Sequence, residues 1–488
     1  MSFYSGSVPM ATNDPARDPA HDPAHDTAHD TAHDTAHDTA HAAAVERLLA
    51  SYRAIPDGEP VRLTKRTSNL FRPRTPTGVP GLDVSALRGV IAVDAANRTA
   101  DVQGMCSYED LVDATLPHGL MPLVVPQLRT ITLGGAVSGL GIESTSFHAG
   151  LPHESVLEMD VLTGGGELVT ATADNDHADL FTTFPNSYGS LGYATRIRIE
   201  LAPVGARVAL RHIRFADQKE LADAIDRIVA DGSYRGEPVQ FLDGVVFTPK
   251  DSYLTLGRWT DEPGETSDYT GQQIYYRSVA QRRTDLLTAY DYIWRWDTDW
   301  FWCSRAFGVQ NPRIRRLWPR QYRRSDVYYK IVGLENRYHL AARLDRRRGK
   351  PERERVVQDV EIPVEQLAGF LSWFEENVGM RPVWLCPLKL RGDRGWPLYP
   401  LEPGRTYVNV GFWGTVPIAP GDADGDINRR IEQAVADHDG HKSLYSDAYY
   451  DRETFDRLYD VPALEKVRER YDPGSRLTGL YEKAVRRG

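Results

Sequence analysis

The sequence feature that most constrains the fold is a glycine-rich segment, TLGGAVSGLGIES, which runs from Thr132 to Ser144. Glycine tolerates positive φ angles and lets backbone N–H groups approach an anion without interference from a Cβ atom. The spacing is not G-x-G-x-x-G, and no predicted helix with an acidic residue about 20 positions further on follows it. These absences disfavour a Rossmann fold. On spacing alone, a structural glycine loop and a phosphate cradle explain the segment equally well.

Short strand patterns separated by turns surround this segment. Val90–Asp94 and Ala100–Gly104 are typical of a hairpin, as are Val156–Leu162 and Glu167–Thr172, which flank three consecutive glycines. Ala194–Leu201 alternates between apolar and charged residues, which predicts a strand with one buried face. Strands in such close succession favour an α+β fold rich in antiparallel pairs over a regular series of βαβ units.

Helical patterns and a change in the sequence pattern near residue 204 predict the domain boundaries. Ser107 is a candidate N-cap for a helix through YEDLVDATL, and Leu221–Val229 has helical spacing. A chain of 488 residues is too long for one ordinary core. We expect a first folded domain at 43–203, a second at 204–438, and a C-terminal segment at 439–488 that packs near the first domain.

The N-terminal residues 1–42 contain a tetrapeptide repeat of the DPAH and DTAH type. Residues 11–41 have no Leu, Ile, Val, Phe, Tyr or Trp, so they cannot bury enough apolar area to offset the entropy of ordering. The interpretation favoured by this composition is a disordered tail. If it were helical, the histidines at every fourth position would line one face and could chelate a divalent metal.

Composition excludes several classes of function. The formal net charge of -10 makes the whole molecule a poor nucleic-acid binder. The three cysteines are far apart in sequence, which predicts neither a disulfide framework nor a zinc site and suits a reducing cytoplasm. No secretory signal or membrane-spanning stretch is recognised, so we expect a cytoplasmic protein for which peripheral membrane contact stays open. Oligomeric state is not determined by these patterns.

Two further segments give the glycine-rich segment a context. The basic loop Lys65–Asn69 precedes it, and a second glycine pair in Tyr188–Tyr193 follows it and leads into the alternating strand. This order resembles the FAD-binding domain of the vanillyl-alcohol oxidase and p-cresol methylhydroxylase superfamily, across residues 60 to 203. The resemblance implies a two-lobed FAD-binding domain of the p-cresol methylhydroxylase type, followed by an α+β substrate, or cap, domain.

Motifs along the rest of the chain resemble the sterol side-chain Δ24 reductases. They are GGAVSGLGIESTS, the aromatic stretch Ala289–Gly308, VVQDVEIP, VWLCP and LYSDAYYDRETF. The resemblance implies reduction of an isolated carbon–carbon double bond in a lipophilic sterol- or terpene-like substrate, with FAD as cofactor and NADPH as donor. The arginine-rich section 313–355 and the polar N-terminus depart from that family. An oxidase or dehydrogenase of the same fold acting on a secondary metabolite is the alternative, and a flavin-binding protein without turnover is a third.

The resemblance also assigns the residues that would hold FAD. Neither KRTSNLFRP nor VVPQLRTI supplies a His or Cys for covalent flavin attachment, so we expect non-covalent FAD. The expected FAD contacts are Lys65, Arg66, Thr67, Ser68, Asn69, Thr132, Leu133, Gly134, Gly135, Ser138, Gly139, Gly141, Ile142, Glu143, Ser144, Gly189 and Gly192.

Candidate catalytic groups follow from the chemistry of alkene reduction, which needs a general acid in a water-poor pocket. Tyr445, in the C-terminal motif, is the first candidate, with Asp447 as its orienting partner and Lys330 as a second acid. Tyr445 could instead be a core aromatic with a satisfied hydroxyl. Asp359 is a further candidate, for which an ordinary carboxylate at a strand end is the favoured interpretation. No metal site is expected.

Two conspicuous clusters allow more than one interpretation. The tryptophans of the aromatic stretch, Trp294, Trp296, Trp300 and Trp302, could wall a pocket for a flat substrate or form interdomain core. The arginines between positions 313 and 324 could bind an anionic group, the NADPH phosphates or a membrane surface, or form a solvated face.

Overall fold

The computed structural model describes residues 39–64, 81–338, 349 and 351–485. The repeat tail up to residue 38 and the loop Lys65–Asn69 lie outside the described residues. The first domain contains β1 (Leu63–Thr64), β2 (Leu82–Asp83), β3 (Val90–Asp94), β4 (Thr99–Gln103), β5 (Leu120–Pro122), β6 (Val156–Leu162), β7 (Leu168–Ala171) and β8 (Tyr193–Pro203). β1 and β2 form a separate parallel pair. The other six form an antiparallel sheet in the order β3-β4-β8-β6-β7, with β5 paired to the end of β8.

A second, larger sheet begins directly after β8. Its region contains β9 (Arg207–Phe215), β10 (Ser233–Tyr234), β11 (Glu237–Pro238), β12 (Phe241–Thr248), β13 (Asp251–Thr260), β14 (Thr284–Thr288), β15 (Arg353–Pro363), β16 (Val383–Leu388), β17 (Tyr407–Pro417) and β18 (His441–Lys442). β10 and β11 form a small hairpin. The others form an eight-stranded antiparallel sheet in the order β14-β9-β13-β12-β16-β17-β15-β18.

Helices connect and cover the strands, and their ends follow local chemistry. Ser107 caps the helix Tyr108–Thr115 by accepting the Asp110 N–H, as the sequence predicts. Asp217 caps the helix Gln218–Asp231, which stops at Gly232, a residue with a φ of 60°. A helix covers 39–53. The others are Tyr108–Thr115, Leu133–Ser138, Ser146–Ala149, Ala178–Thr183, Gln218–Asp231, Tyr275–Ser278, Ala289–Ile293, Pro312–Leu317, Ser325–Tyr338, Leu367–Asn377, Asp426–Asp437, Arg452–Leu458, Val461–Tyr471 and Leu480–Ala484.

The second sheet has two chemically different faces because side chains alternate along each strand. Val356 and Val360 of β15 belong to an apolar core shared with the helices Gln218–Asp231, Leu367–Asn377 and Asp426–Asp437. On the opposite face, the tryptophans of β16 and β17 belong to a core that extends into the first domain. The inner face of the second sheet therefore shares its core with the first domain.

The C-terminal segment contacts the first domain. The Tyr471 hydroxyl lies 2.9 Å from Asp179 Oδ1. Lys483 Nζ donates to the Tyr188 carbonyl at 3.1 Å, close to the second glycine pair. Among the described residues, no helix is both long and apolar enough to cross a membrane.

Candidate active site

The glycine-rich segment begins as a short helix that is fixed to the end of β4. Thr132 Oγ1 accepts the Gly135 N–H at 3.2 Å, and the Gly134 N–H donates to the Gly104 carbonyl at 2.9 Å. A Cβ atom on Gly134 would lie 2.6 Å from that carbonyl oxygen, so only glycine permits the approach. The Ser138 hydroxyl donates to the Gly134 carbonyl at 2.7 Å. The first half of the segment therefore serves packing.

The second half of the segment offers an anion cradle. Gly141 cannot carry a side chain, since its Cβ atom would lie 2.7 Å from Pro126 Cγ. The N–H groups of Leu140, Gly141 and Ile142 have no acceptor within the part of the chain that the structure describes. Successive unpaired N–H groups on a glycine-containing backbone bind anionic oxygens. The segment thus combines a structural loop with a row of unpaired N–H groups of the kind that a phosphate cradle requires.

The segment around Tyr188 lies against the first glycine segment. The Tyr188 N–H donates to the Ser138 carbonyl at 2.7 Å. Gly189 and Gly192 have φ angles of 78° and 133°, a region in which a side chain is strained. A Cβ atom on Gly192 would also lie 2.5 Å from the Leu162 carbonyl oxygen. The structure therefore brings together the two glycine segments that are about 50 residues apart in sequence.

Buried polar atoms without internal partners accompany these two segments. Asn186 Oδ1, Ser187 Oγ and Ser190 Oγ are buried and have no hydrogen-bond partner among the described residues, and the same holds for both ring nitrogens of His153. Burial lowers the pKa of His153 to about 3, so the ring is neutral. Each unpaired buried polar atom costs about 1–3 kcal/mol. A ligand with a diphosphate and many polar groups relieves that cost, and the residues present therefore fit FAD.

A buried ion cluster joins the end of the glycine-rich segment to the second sheet. The Arg295 side chain is 0% exposed and lies 2.5 Å from Glu143 Oε1 and 2.8 Å from Asp243 Oδ2. Its guanidinium lies 3.9 Å from the centre of the Tyr292 ring, and the Tyr292 hydroxyl is 2.9 Å from Ser144 Oγ. Burial raises the pKa of Glu143. Glu143 and Ser144, both expected to contact FAD, thus have internal partners.

A group of polar side chains lies on the inner face of the second sheet. Asp359 and Glu361 are alternate residues of β15 and point to the same side. Asn409 of β17 lies opposite Glu361, and its Nδ2 donates to Asp359 Oδ1 at 3.0 Å. Gly411 lies opposite Asp359, and a Cβ atom there would sit 2.5 Å from Asp359 Oδ1 and 2.7 Å from the Trp413 ring. Glycine at position 411 is what lets these two side chains share one space.

Tyr445 completes this group from the segment after β18. Its hydroxyl accepts the Trp413 Nε1–H at 2.9 Å and is hydrogen-bonded to Asp359. Burial, followed by the charge of Asp359, raises the pKa of Tyr445 well above its ordinary value. Burial also raises the pKa of Asp359 to about 6. Both side chains keep partial exposure on a face that meets the first domain, so they border accessible space.

The other predicted catalytic residues have different surroundings. Asp447 Oδ2 pairs with Arg355 Nη2 at 2.7 Å. The Lys330 side chain is 74% exposed and lies 3.6 Å from Asp326 on the same helix, so it points to solvent. Asp359 lies in the middle of β15 rather than at a strand end, and the interpretation of it as a strand-end carboxylate is wrong. The residues that sequence reasoning missed are Glu361, Asn409 and Trp413.

The aromatic stretch forms interior that supports this group. Its four tryptophans are all buried. The Phe301 and Trp302 ring centres lie 4.3 Å and 5.3 Å from that of Trp413. The stretch therefore packs as interdomain core, and Trp413 is the point at which it reaches Tyr445.

The arginine cluster divides into buried and exposed members. Arg315 Nη1 lies 2.7 Å from Asp299 Oδ1, with the Arg315 side chain 1% exposed. Arg323 is also buried and donates to the backbone carbonyls of Gly271 and Trp318. Neither an anion site nor a solvated face describes these two, because backbone carbonyls and an internal carboxylate already occupy their donors. Arg313, Arg316 and Arg320 are exposed.

Comparison with known proteins places an FAD-binding domain over the glycine-rich segment. Residues 37–172 match the family model of the FAD binding domain. The chain is 25% identical to the Δ(24)-sterol reductase of Arabidopsis thaliana over 453 residues, covering 83% of this chain and 76% of that protein. The human Δ(24)-sterol reductase is 24% identical over 413 residues, covering 81% and 76%. Cytokinin dehydrogenase 2 of Oryza sativa subsp. japonica is 36% identical over 165 residues, covering 32% of this chain and 28% of that protein.

These matches and the two joined glycine segments identify the cofactor and the kind of protein. The chain carries an FAD-binding domain over residues 37–172, and it is a flavoprotein oxidoreductase that resembles the Δ24-sterol reductases and the vanillyl-alcohol oxidase and p-cresol methylhydroxylase superfamily.

Proposed function

We propose that this protein is an FAD-dependent reductase that saturates an isolated carbon–carbon double bond in a lipophilic sterol- or terpene-like substrate, with NADPH as donor. Likeness to proteins named Δ(24)-sterol reductases, over 83% and 81% of this chain in the two cases described, supports the reaction type. The observation that carries the proposal is the position of Tyr445. Its hydroxyl lies between Trp413 and Asp359, on the face of the second sheet that meets the FAD-binding domain.

The cofactor supplies a hydride to one carbon of the alkene when it is bound. We infer that the two glycine segments and the loop Lys65–Asn69 hold FAD without a covalent bond. The unpaired N–H groups of 140–142 would receive the diphosphate. Asn186, Ser187 and Ser190 would pair their buried polar atoms with the rest of the cofactor.

The second carbon of the alkene requires a proton, which Tyr445 is placed to donate. Its raised pKa keeps the hydroxyl protonated at neutral pH, and the bond from Trp413 Nε1 fixes the position of its oxygen. After donation, the Tyr445 oxygen regains a proton from Asp359. The raised pKa of Asp359, about 6, keeps part of this carboxyl protonated near neutrality, whereas an ordinary aspartate would be fully ionised.

The test begins with the purified protein and its flavin. We expect a flavin spectrum, release of FAD into the supernatant on acid precipitation, and rapid anaerobic bleaching by NADPH. Tyr445→Phe should retain FAD and lose alkene reduction. Flavin that stays with the acid-precipitated polypeptide would contradict non-covalent binding, and unchanged turnover in Tyr445→Phe would remove this residue from the mechanism.

A second candidate is an oxidase or dehydrogenase that takes a hydride from its substrate. The likeness of 165 residues to a cytokinin dehydrogenase at 36% identity favours it. Asp359 in its ionised form could then accept a proton through Tyr445. Bleaching of the flavin by an organic substrate, with no response to NADPH or NADH, would select this candidate.

A further inference from the structure

A patch on the second domain exposes large apolar side chains beside arginines. Among the described residues, six large hydrophobic side chains are exposed, and three of them, Ile314, Leu317 and Tyr322, fall between positions 314 and 322. Leu317 is 84% exposed, twice the exposure of Ile314 at 42%. Single exposed apolar residues need no explanation, but a cluster marks an interaction site. Residues 313–322, which comprise most of the helix Pro312–Leu317 and the turn after it, are called the arginine loop below.

The arginine loop is held firmly although its tip is exposed. Arg315 Nε donates to the Gly271 carbonyl at 2.7 Å, and its Nη1 lies 2.7 Å from Asp299 Oδ1. Arg323 Nη1 donates to the same Gly271 carbonyl at 2.7 Å, and its Nη2 donates to the Trp318 carbonyl at 2.8 Å. The buried guanidinium groups of Arg315, within the loop, and of Arg323, directly after it, fix the backbone. The outward position of Leu317 is therefore a feature of the folded protein and does not come from fraying of a chain end.

The charge around the apolar tip is positive. Arg313 and Arg316 are exposed, and neither has a carboxylate partner in the part of the chain that the structure describes. Arg320 is 62% exposed and bound to Asp268. Trp318, which donates its Nε1–H to the Tyr322 carbonyl at 3.0 Å, adds an amphipathic ring. The whole chain has a net charge of -10, so this local surplus of arginine stands out.

The chemistry that matches this surface is a phospholipid headgroup layer. Leucine and isoleucine insert among the upper acyl chains, tryptophan and tyrosine lie at headgroup level, and arginine binds phosphate. We propose that the arginine loop docks the protein on the surface of an anionic membrane, with Leu317 and Ile314 inserted and Arg313 and Arg316 at lipid phosphates. The inference rests on the proposed function in one respect only. A lipophilic substrate is stored in such a layer, and this gives docking its purpose.

Vesicle co-sedimentation of the FAD-loaded full chain tests the proposal. We expect binding to vesicles that contain phosphatidylglycerol, weak binding to pure phosphatidylcholine, and release by salt. Leu317→Asp should weaken binding by at least about tenfold, since it loses the burial of one leucine. Arg313→Gln and Arg316→Gln should each weaken it by about fivefold at low salt. Brominated lipids should quench wild type more than Trp318→Phe.

Leu168→Asp is the matched control, because Leu168 on β7 is 41% exposed and far from the loop in sequence. It should bind vesicles as wild type does. Wild-type protein that ignores anionic vesicles, or Leu317→Asp that binds as wild type, would overturn the proposal. So would a dimer in size-exclusion chromatography that Leu317→Asp dissociates, since a second copy would then cover the patch. No substrate or NADPH is present, so failure here is distinct from failure to reduce an alkene.

Discussion

Replacement of Arg295 by Gln should strongly destabilise the protein, because it leaves two buried carboxylates without their cation. Arg295 lies 2.5 Å from Glu143 and 2.8 Å from Asp243, and these three side chains are 0%, 7% and 1% exposed. Removing one partner of a buried ion pair costs about 3–5 kcal/mol. The stacking of the guanidinium on Tyr292 at 3.9 Å adds about 0.5–2 kcal/mol. We expect a loss of roughly 4–6 kcal/mol in the free energy of unfolding.

The loss of unfolding free energy in Arg295→Gln should depend on pH in a defined direction. Burial already raises the pKa of Glu143, and Arg295 is the main group that opposes this shift. Without the arginine, folded Glu143 binds a proton more readily than it does in the unfolded chain. A group with a raised folded pKa contributes stability below its unfolded pKa and loses it as the pH rises through the folded pKa. The destabilisation should therefore be larger at neutral pH than at mildly acidic pH.

Urea unfolding followed by tryptophan fluorescence measures this effect at both pH values. Arg214→Gln is the matched control, because Arg214 lies 2.7 Å from Asp251 in a pair whose side chains are 55% and 35% exposed. Such a surface pair is worth about 0–1 kcal/mol. The reasoning is refuted if Arg295→Gln loses no more stability than Arg214→Gln, or if its loss is the same at both pH values. Because Glu143 lies near the end of the glycine-rich segment, weaker FAD binding should accompany the loss of stability.

Three further predictions concern the two domains. Gly141→Ala should lower FAD affinity in a flavin titration, whereas Gly395→Ala, whose Cβ atom meets nothing within 4 Å, should not. Steady-state alkene reduction should slow as the pH rises through about 6, where Asp359 loses the proton that it returns to Tyr445, and Asp359→Asn should turn over more slowly and lack this transition in its pH profile. Burial raises the pKa of Cys386 well above its ordinary value, so this thiol should resist a thiol reagent until the protein is unfolded; reaction at the native rate of an exposed cysteine would contradict its burial.

Local features of the fold could be predicted because they depend on neighbouring residues. The hairpin of β3 and β4, the hairpin of β6 and β7, and the Ser107 cap all follow from turn residues and alternation within a few positions. The order of the second sheet could not be predicted in the same way. β15 pairs with β17 across more than 40 intervening residues, and turn chemistry does not specify such a pairing.

The candidate site shows the same division between near and distant contacts. The glycine segments were recognisable because each needs close backbone approach, which only glycine provides. Tyr445 was found through its motif, but its neighbours Asp359 and Trp413 come from other strands, so nothing next to Tyr445 in sequence indicates them. The sequence predicts an anion site or a solvated face for Arg315 and Arg323, and neither applies. A run of arginines does not reveal which members turn inward to bind carbonyl oxygens.

Anaerobic single-turnover reduction tests the central claim most directly. The FAD-loaded protein is photoreduced, mixed without oxygen with a sterol or terpene that carries an isolated side-chain double bond, and followed at the flavin absorbance. The account predicts that the flavin is reoxidised and that one equivalent of saturated product forms, with the fast phase absent in Tyr445→Phe. Flavin that stays reduced in the presence of every alkene, in a protein whose oxidised flavin is instead bleached by an organic substrate, would contradict it.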